Sequence, residues 1–248
     1  MRESNYSKRH YSISAFFPCY NDGGTIASMV ALMDLTLRKL TDDYEILVVD
    51  DGSSDHSREI LKELDAKYKS LKVIFHEKNR GYGGALKTGF YSAAKELIFY
   101  TDGDFQYDVA EIVKLIPEMK DNVDIVNGYK ISRSDPIQRK IIGRTYHRIM
   151  KLMFGFKIKD VDCDFRLIRR SVFNNIQLEH NSGIICVEMV KKMQDAGFHF
   201  VEVPVNHYHR VYGKSQFFNY KRLFNVGRDI LRLWWKLVIK KEGVTPHD

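Results

Sequence analysis

Between residues 12 and 128 the chain alternates short apolar runs with stretches whose apolar residues recur at helical spacing. No other feature restricts the fold as tightly. The segments "YSISAFFPCYND" (11–22), "YEILVVDDGSSD" (44–55), "LKVIFHE" (71–77), "LIFYTDGD" (97–104) and "VDIVNGY" (123–129) read as strands. Between them, "GTIASMVALMDLTLRKL" (24–40), "HSREILKELDAKYK" (56–69) and "VAEIVKLIPEMK" (109–120) read as helices, and "NRGYGGALKTGFYSAAKE" (79–96) as a glycine-rich loop leading into one. Regular β/α alternation predicts an α/β fold with a mostly parallel central sheet and helices on both faces. Several strands are continuous apolar runs, as strands buried on both sides should be.

Ligands of such sheets bind beyond the carboxyl ends of the strands. The polar residues of this half collect there: Pro18–Asp22 after the first strand, Asp50-Asp51-Gly52-Ser53 after the second, Asn79-Arg80-Gly81 after the third and Asp102-Gly103-Asp104 after the fourth. In an extended segment Asp102 and Asp104 project to one side. With the amide oxygen of Gln106 they make a set of hard oxygen donors suited to Mg²⁺ or Mn²⁺. An Asp-x-Asp read alone is more often a surface turn; its place at the end of a core strand favours a site. Asp108 then caps the following helix. Asp50-Asp51 reads either as an Asx turn capping the helix that starts near Ser54 or as a group recognising a base or ribose. The glycines at 81, 83, 84 and 89 follow the third strand rather than the first and lack the G-x-G-x-x-G spacing, which excludes a nicotinamide-dinucleotide fingerprint. They predict tight turning and close packing beside the site.

The second half is less regular. Residues 132–155 form a basic loop and helix, 159–173 a loop and a short strand or helix, 182–196 a helix and 198–210 a strand on which His207 and His209 share a face. That pair reads as structural, although it could approach a metal. No internal repeat or low-complexity tract is present. Cys19, Cys163 and Cys186 are few and widely spaced, which speaks against a disulfide framework and for a reducing compartment. The amino-terminal residues lack a signal-peptide pattern, and no apolar run is long enough to span a bilayer. The formal net charge is +7, which fits an anionic partner: a nucleotide, a phospholipid surface or nucleic acid.

In "RDILRLWWKLVIKK" (228–241), Arg228, Arg232, Lys236 and Lys240 lie four apart. On a helix they form a basic stripe of roughly 120°, leaving an apolar face about 240° wide, broader than one core contact requires. A membrane interface, a homodimer or membrane-protein contact, and ordinary packing onto the domain are the three readings.

The stretches "FPCYND", "VVDDGSSD", "NRGYGGALKTGF", "TDGDFQ", "DCDFRLIRR" and "HRVYGKS" stand in the order and spacing of family 2 glycosyltransferases. The chain resembles the polyprenyl-phosphate branch typified by dolichol-phosphate mannosyltransferase, over about residues 12–216. The resemblance implies a GT-A type nucleotide-sugar-binding domain over residues 1–217, followed by a C-terminal amphipathic helix and tail over 218–248. It also implies inversion at the sugar carbon and a divalent metal, Mg²⁺ or Mn²⁺, on Asp102 and Asp104 with Gln106 assisting. By matching position, Pro18, Tyr20, Asp22, Val49 and Asp51 would hold the nucleoside, Asp102 and Gly103 the metal and diphosphate, and Arg210 the phosphates. Three positions depart from the family: Asp22 stands where Glu is usual, Asp164 where Gly is common, and Gln216 where Lys is common.

The implied partners are a nucleotide sugar (GDP-mannose or UDP-glucose) and a polyprenyl phosphate lipid, with no nucleic acid. The implied location is cytoplasmic, peripheral at the inner face of the membrane. A hydroxyl acceptor needs a base, for which Asp162 and Asp164 are candidates. A phosphate acceptor is already ionised and needs cations to position it; among the basic residues of the second half, Arg133 and Arg144 are the first candidates. Two further readings are kept: transfer to a saccharide hydroxyl, and a non-catalytic nucleotide-sugar-binding protein. The Asp102/Asp104/Gln106 set argues against the last.

Overall fold

The structure, a computed structural model, describes residues 11–133, 137–210 and 220–242, and their side chains except those of 132–144, 146 and 220–225. The elements run β1 (Ile13–Cys19), α1 (Ile26–Leu40), β2 (Tyr44–Asp50), α2 (Ser57–Lys67), β3 (Leu71–Phe75), α3 (Tyr82–Ser92), β4 (Leu97–Thr101), the single turn α4 (Ile112–Leu115), β5 (Ile125–Arg133), α5 (Ile137–Phe154), β6 (Phe165–Arg169), the short α6 (Val172–Asn175), α7 (Ile185–Asp195), β7 (Phe200–His207) and α8 (Tyr220–Trp234). The helix expected over 109–120 is instead α4 flanked by 3₁₀ turns at Val109–Glu111 and Ile116–Glu118. Pro117 has no N–H to continue an α ladder. Asp108 does cap this segment: its side chain accepts from the Ala110 N–H at 2.9 Å.

All seven strands form one sheet in the order β3-β2-β1-β4-β6-β5-β7. Every adjacent pair is parallel except those made by β6, which runs antiparallel between β4 and β5. The chain leaves β1 towards β2 and β3, then returns to place β4 on the other side of β1. This reversal opens a crevice at the carboxyl ends of β1 and β4, where open α/β sheets bind ligands. Pro18 fits the crevice: the β1–β4 pairing ends at Phe16 opposite Tyr100, before a residue with no N–H is reached.

Two apolar layers sandwich the sheet. One joins Phe17, Val48 and Phe99 to α1 through Met29, Val30 and Met33. The other joins Phe16, Leu47 and Tyr100 to α3 and α7 through Leu86, Phe90 and Met189. Gly89 permits the second contact, since a Cβ there would lie 2.4 Å from the Phe16 ring.

α8 continues into a π-helical turn, Trp235–Ile239. Part of its apolar face packs on its own domain: Ile230, Leu233 and Leu237 are buried against Met150, Phe154, Val187 and Val190. Trp234 Nε1 donates to the Met153 carbonyl at 2.8 Å. This much of the broad apolar face is ordinary core. Leu231, Trp235 and Ile239, four apart, remain 48–60% exposed. Among the described residues no helix is long and apolar enough to cross a membrane.

Candidate active site

The loops after β1, β2 and β4 form one polar floor. Asn21, at φ 57°, turns the chain after β1, and its Oδ1 accepts from the Ser54 N–H at 2.8 Å. Asp55 accepts from the Gly23 N–H through Oδ2 and from the Ser57 N–H through Oδ1. It therefore fixes the start of α2, which begins at Ser57 rather than near Ser54. Asp50 is fully buried; one oxygen takes the Ser53 N–H at 3.4 Å and faces Arg58 Nε at 3.5 Å. Asp50-Asp51 therefore caps no helix: Asp50 makes the turn contact to Ser53, and Asp55 stands at the start of α2.

The segment after β4 meets the end of β1 at Gly103. A Cβ on residue 103 would lie 2.8 Å from the Pro18 carbonyl and 3.7 Å from Asp22 Oδ2, so only glycine lets these tails approach. Thr25 ties them further by donating to the Gly103 carbonyl at 2.9 Å. Asp104 Oδ2 receives Arg210 Nη2 at 2.6 Å and Nε at 3.2 Å, while its Oδ1 accepts from the Gln106 N–H at 3.1 Å. Asp102 Oδ1 accepts from the Tyr82 hydroxyl at 2.7 Å. Asp22, Asp102, Gly103, Asp104, Gln106 and Arg210, expected together from the sequence, therefore share one crevice.

The field in this crevice is strongly negative. Burial, then the charge of Asp104, pushes the Asp22 carboxyl up to about 6; the Tyr20 N–H and Arg210 pull the other way. Burial also drives Asp102 well above the ordinary carboxylate range, reinforced by Asp164, Asp104 and Asp22. Two carboxyls raised by burial and by neighbouring carboxylates mark a place that suits a cation. Among the described residues no cluster of three or more His, Cys, Asp and Glu side chains holds a metal unaided. Two carboxylates that leave places for water and phosphate oxygens are the pattern that suits Mg²⁺ or Mn²⁺, so the residues fit such an ion.

The remaining expected residues fall into three groups. Tyr20 is 43% exposed at the rim and free to meet a planar ligand. Asp51 is buried, and its Oδ1 is occupied by His76 Nδ1 at 2.6 Å and the Arg80 N–H at 2.8 Å. Val49 has no exposure and lies in the ladder between Pro18 and Ile74, so it supports the crevice from beneath. Gln106 Nε2 donates to the Tyr208 carbonyl at 3.1 Å, and the Tyr208 N–H donates back to the Gln106 carbonyl at 2.8 Å. These bonds bring Arg210 to Asp104 and leave the Gln106 amide oxygen as its acceptor.

His207 and His209 do not share a strand face. β7 ends at His207, whose ring packs edge-on against Tyr107 at 5.0 Å, and His209 is exposed beyond it. Asp162 and Asp164 flank Cys163, and burial pushes Asp162 up to about 6 against the pull of Lys130. The side chains of Arg133 and Arg144 lie outside the described residues, as does Gln216.

Sequence reasoning missed the support of the glycine-rich loop. Gly81, at φ 84°, and Gly83 each lie so close to the 180–181 backbone that a Cβ would stand 2.4 Å from a carbonyl oxygen. Glu188 holds that backbone: its carboxylate accepts the Glu179 N–H, the His180 N–H, His180 Nδ1 and Lys192 Nζ, all at 2.7–3.0 Å. The i,i+4 spacing of Glu188 and Lys192 reads as a surface pair, yet both side chains are about 1% exposed.

Burial works to raise the Glu188 carboxyl, but His180 and Lys192 outweigh it and hold it at about 2, below the ordinary value near 4.3. A depressed folded value stabilises the protein above the unfolded value and is lost as pH falls through the folded one. Acid unfolding of the wild type should therefore steepen between about pH 5 and 2. Glu188→Gln should remove that segment and cost about 3 kcal/mol at neutral pH. Denaturant titration at several pH values measures both; equal pH slopes for the two proteins would refute the assignment.

The comparisons with known proteins bear on the family and the fold. The family model described as glycosyl transferase family 2 matches residues 14–177. The chain is 27% identical over 220 residues to undecaprenyl-phosphate 4-deoxy-4-formamido-L-arabinose transferase of Klebsiella pneumoniae, covering 88% of this chain and 66% of that protein. It is 26% identical over 237 residues to glycosyltransferase AglD of Haloferax volcanii, covering 92% of this chain and 38% of that protein. The chain thus spans less than two thirds of either relative. Among solved structures, glucosyl-3-phosphoglycerate synthase from Mycobacterium tuberculosis with phosphoglyceric acid aligns with a TM-score of 0.69 at 14% identity, covering 91% of this chain and 79% of that one. The same enzyme with Mn²⁺, uridine diphosphate and glucosyl-3-phosphoglycerate aligns at 0.68 and 14%, with the same coverage. At these identities the likeness is one of fold, the GT-A type.

Proposed function

The chain belongs to glycosyl transferase family 2, and from that premise we propose that it is a metal-dependent, inverting hexosyltransferase that moves glucose or mannose from a nucleotide sugar to a polyprenyl phosphate. The observation that carries the reading is the crevice at the β1–β4 reversal. Asp22, Asp102 and Asp104 crowd there, and Arg210 stands on Asp104 at 2.6 Å. A relative named as an undecaprenyl-phosphate sugar transferase supports the lipid phosphate as acceptor.

The chemistry follows from charge. Breaking the sugar–phosphate bond leaves negative charge on the departing diphosphate. A divalent ion held by Asp102 and Asp104 would neutralise that charge as it develops. Arg210 supplies a second positive group whose reach is set by the Tyr208–Gln106 bonds, and in the free protein Asp104 holds it ready. Tyr20 at the rim and the remaining oxygen of Asp51 are the groups we assign to the nucleoside. A phosphate acceptor attacks as an anion without a base; Arg133, at the end of β5, and Arg144, in α5, are assigned to it. If the acceptor is a saccharide hydroxyl instead, Asp162 or Asp164 takes its proton.

Release of UDP or GDP from UDP-glucose or GDP-mannose, with Mn²⁺ or Mg²⁺, distinguishes the acceptors. A short polyprenyl phosphate should accelerate release from one donor. Acceleration by saccharides and not by polyprenyl phosphate would transfer the proposal to a hydroxyl acceptor.

A lipid acceptor requires the domain to reach a bilayer. We assign that contact to the exposed stripe Leu231, Trp235 and Ile239, with Arg228, Arg232 and Lys240 alongside, and to Ile149 and Leu152 on α5, the latter 87% exposed. The Trp234–Met153 bond joins the ends of these two helices. Each basic residue near an anionic surface contributes about 1 kcal/mol. The triple change of Arg228, Arg232 and Lys240 to Glu should therefore weaken co-sedimentation with phosphatidylglycerol vesicles by about 100-fold or more, leaving binding of the nucleotide unchanged. Unaltered sedimentation would rule this surface out.

A further inference from the structure

The glycine-rich loop lacks the spacing of a dinucleotide turn, and its close approach to the 180–181 backbone admits no side chain at 81 or 83. Its product is the position of one hydroxyl. Gly81 takes φ 84° against the Asn181 carbonyl, the Gly83 N–H donates to that same carbonyl at 2.9 Å, and α3 starts at Tyr82. So placed, the Tyr82 hydroxyl donates to Asp102 Oδ1 at 2.7 Å and lies 2.5 Å from the Tyr100 hydroxyl. Tyr100 is fully buried, stacked on Phe16 and edge-on to Phe90, and its hydroxyl donates to Asp164 Oδ1 at 2.7 Å. The same Asp164 oxygen receives Cys186 Sγ at 3.3 Å and faces Arg166 Nη1 at 3.7 Å. A run of three short oxygen contacts therefore joins Asp102, after β4, to Asp164, before β6; two hydroxyl protons serve these three contacts, so a change at one tyrosine alters how the other is bonded.

We propose that Tyr82 and Tyr100 are positioning residues that set Asp102 and Asp164 as one unit, each carboxylate held through Oδ1 so that Oδ2 is the oxygen left for ligand. The inference rests on the reading of Asp102 as a metal and diphosphate ligand and deepens it: the carboxylate on the donor side and a candidate carboxylate on the acceptor side are aligned by one network. Tyr100 is anchored by its ring contacts, and Tyr82 by the helix start that the loop glycines allow. An aspartate on a strand end has two free torsions. Holding one oxygen removes that freedom before ligand arrives, which is how outer partners tune a metal site. The glycines at 81 and 83 are then required because Tyr82 must start its helix at this distance from Asp102.

The test uses the full chain with Tyr82→Phe, Tyr100→Phe, the double variant, and Asp102→Asn as a control on the underlying reading. Phenylalanine keeps the ring packing, and melting temperature checks the fold. Calorimetric titration with Mn²⁺ plus UDP, and separately Mn²⁺ plus GDP, reads the site without turnover. Kinetics with whichever donor the wild type uses separates kcat from KM. Tyr82→Phe should weaken the Mn²⁺–nucleotide titration by about 10-fold and lower kcat by about 10-fold with little change in donor KM. Tyr100→Phe should lower kcat similarly. The double variant should lose less than the product of the two single losses, because the hydroxyls touch and removing one already resets the other. If Asp102→Asn loses transfer while Tyr82→Phe stays within twofold in both titration and kcat, the positioning role is wrong and the site reading survives. Multiplying losses in the double variant would also overturn it. If Asp102→Asn retains wild-type titration and transfer, the site reading falls and takes the inference with it.

Discussion

Asp104→Ala should lower kcat/KM for sugar transfer by about 10³-fold or more in a protein that still folds. The size follows from how much one side chain holds. Asp104 is 4% exposed; Oδ2 binds the Arg210 guanidinium through two N–H groups, and Oδ1 receives the Gln106 N–H that orders the turn after β4. Alanine removes a carboxylate proposed here as a metal ligand and releases Arg210. Asp104→Asn separates the two contributions, keeping the shape and the Gln106 contact while losing the charge. Steady-state rates across a metal titration provide the measurement. Full activity in Asp104→Ala would end the metal-site assignment.

The second large effect is on stability. Arg166 is fully buried in β6, opposite Tyr100 in the ladder. Its Nε donates to Asn127 Oδ1 at 2.6 Å and its Nη2 to the Val161 carbonyl at 2.5 Å. Burial alone would lower its basicity, but nearby Cys186, Asp164 and Tyr100 hold it above the ordinary arginine value. Nη1 makes no hydrogen bond and faces Asp164 at 3.7 Å. Removing a buried ion's counter-charge costs about 3–5 kcal/mol, because the partner stays behind uncompensated. For a chain of this length that corresponds to a melting temperature about 10 °C lower in Arg166→Met. The double variant Arg166→Met with Asp164→Asn should recover part of the loss, since the unpaired carboxylate is gone. No recovery would place the cost in packing rather than charge.

Much of this architecture was legible in local pattern. β1 to β5 and their helices follow from alternating apolar runs, and the acids after β4 follow from where such sheets bind ligands. Distant pairing was not legible. Alternation suggests that β5 lies beside β4, but β6 enters between them because "FRLIR" finds a partner on each side, a choice no local period records. The basic stripe of "RDILRLWWKLVIKK" is interrupted by the π-helical turn, and Lys236 pairs with Glu179 at 2.6 Å. Which part of its apolar face becomes core depended on Met150, Phe154 and Val187, far away in the chain. Glu188 and Lys192 look like any exposed helical pair until the Glu179–His180 turn closes over them. The Tyr82–Asp102 bond was hidden for a related reason. A tyrosine inside a glycine-rich motif draws attention to the glycines, and only the third dimension shows what they aim.

We propose that the Asp102–Asp104 crevice serves metal-dependent transfer of a sugar to a lipid phosphate. Incubation with labelled UDP-glucose or GDP-mannose, Mn²⁺ or Mg²⁺ and a short polyprenyl phosphate, followed by organic extraction, tests it most directly. The predicted result is labelled sugar in the organic phase with one of the donors, abolished by chelator and by Asp104→Ala. Label that passes only into a water-soluble saccharide, or extractable product that persists at full yield in chelator, would contradict it.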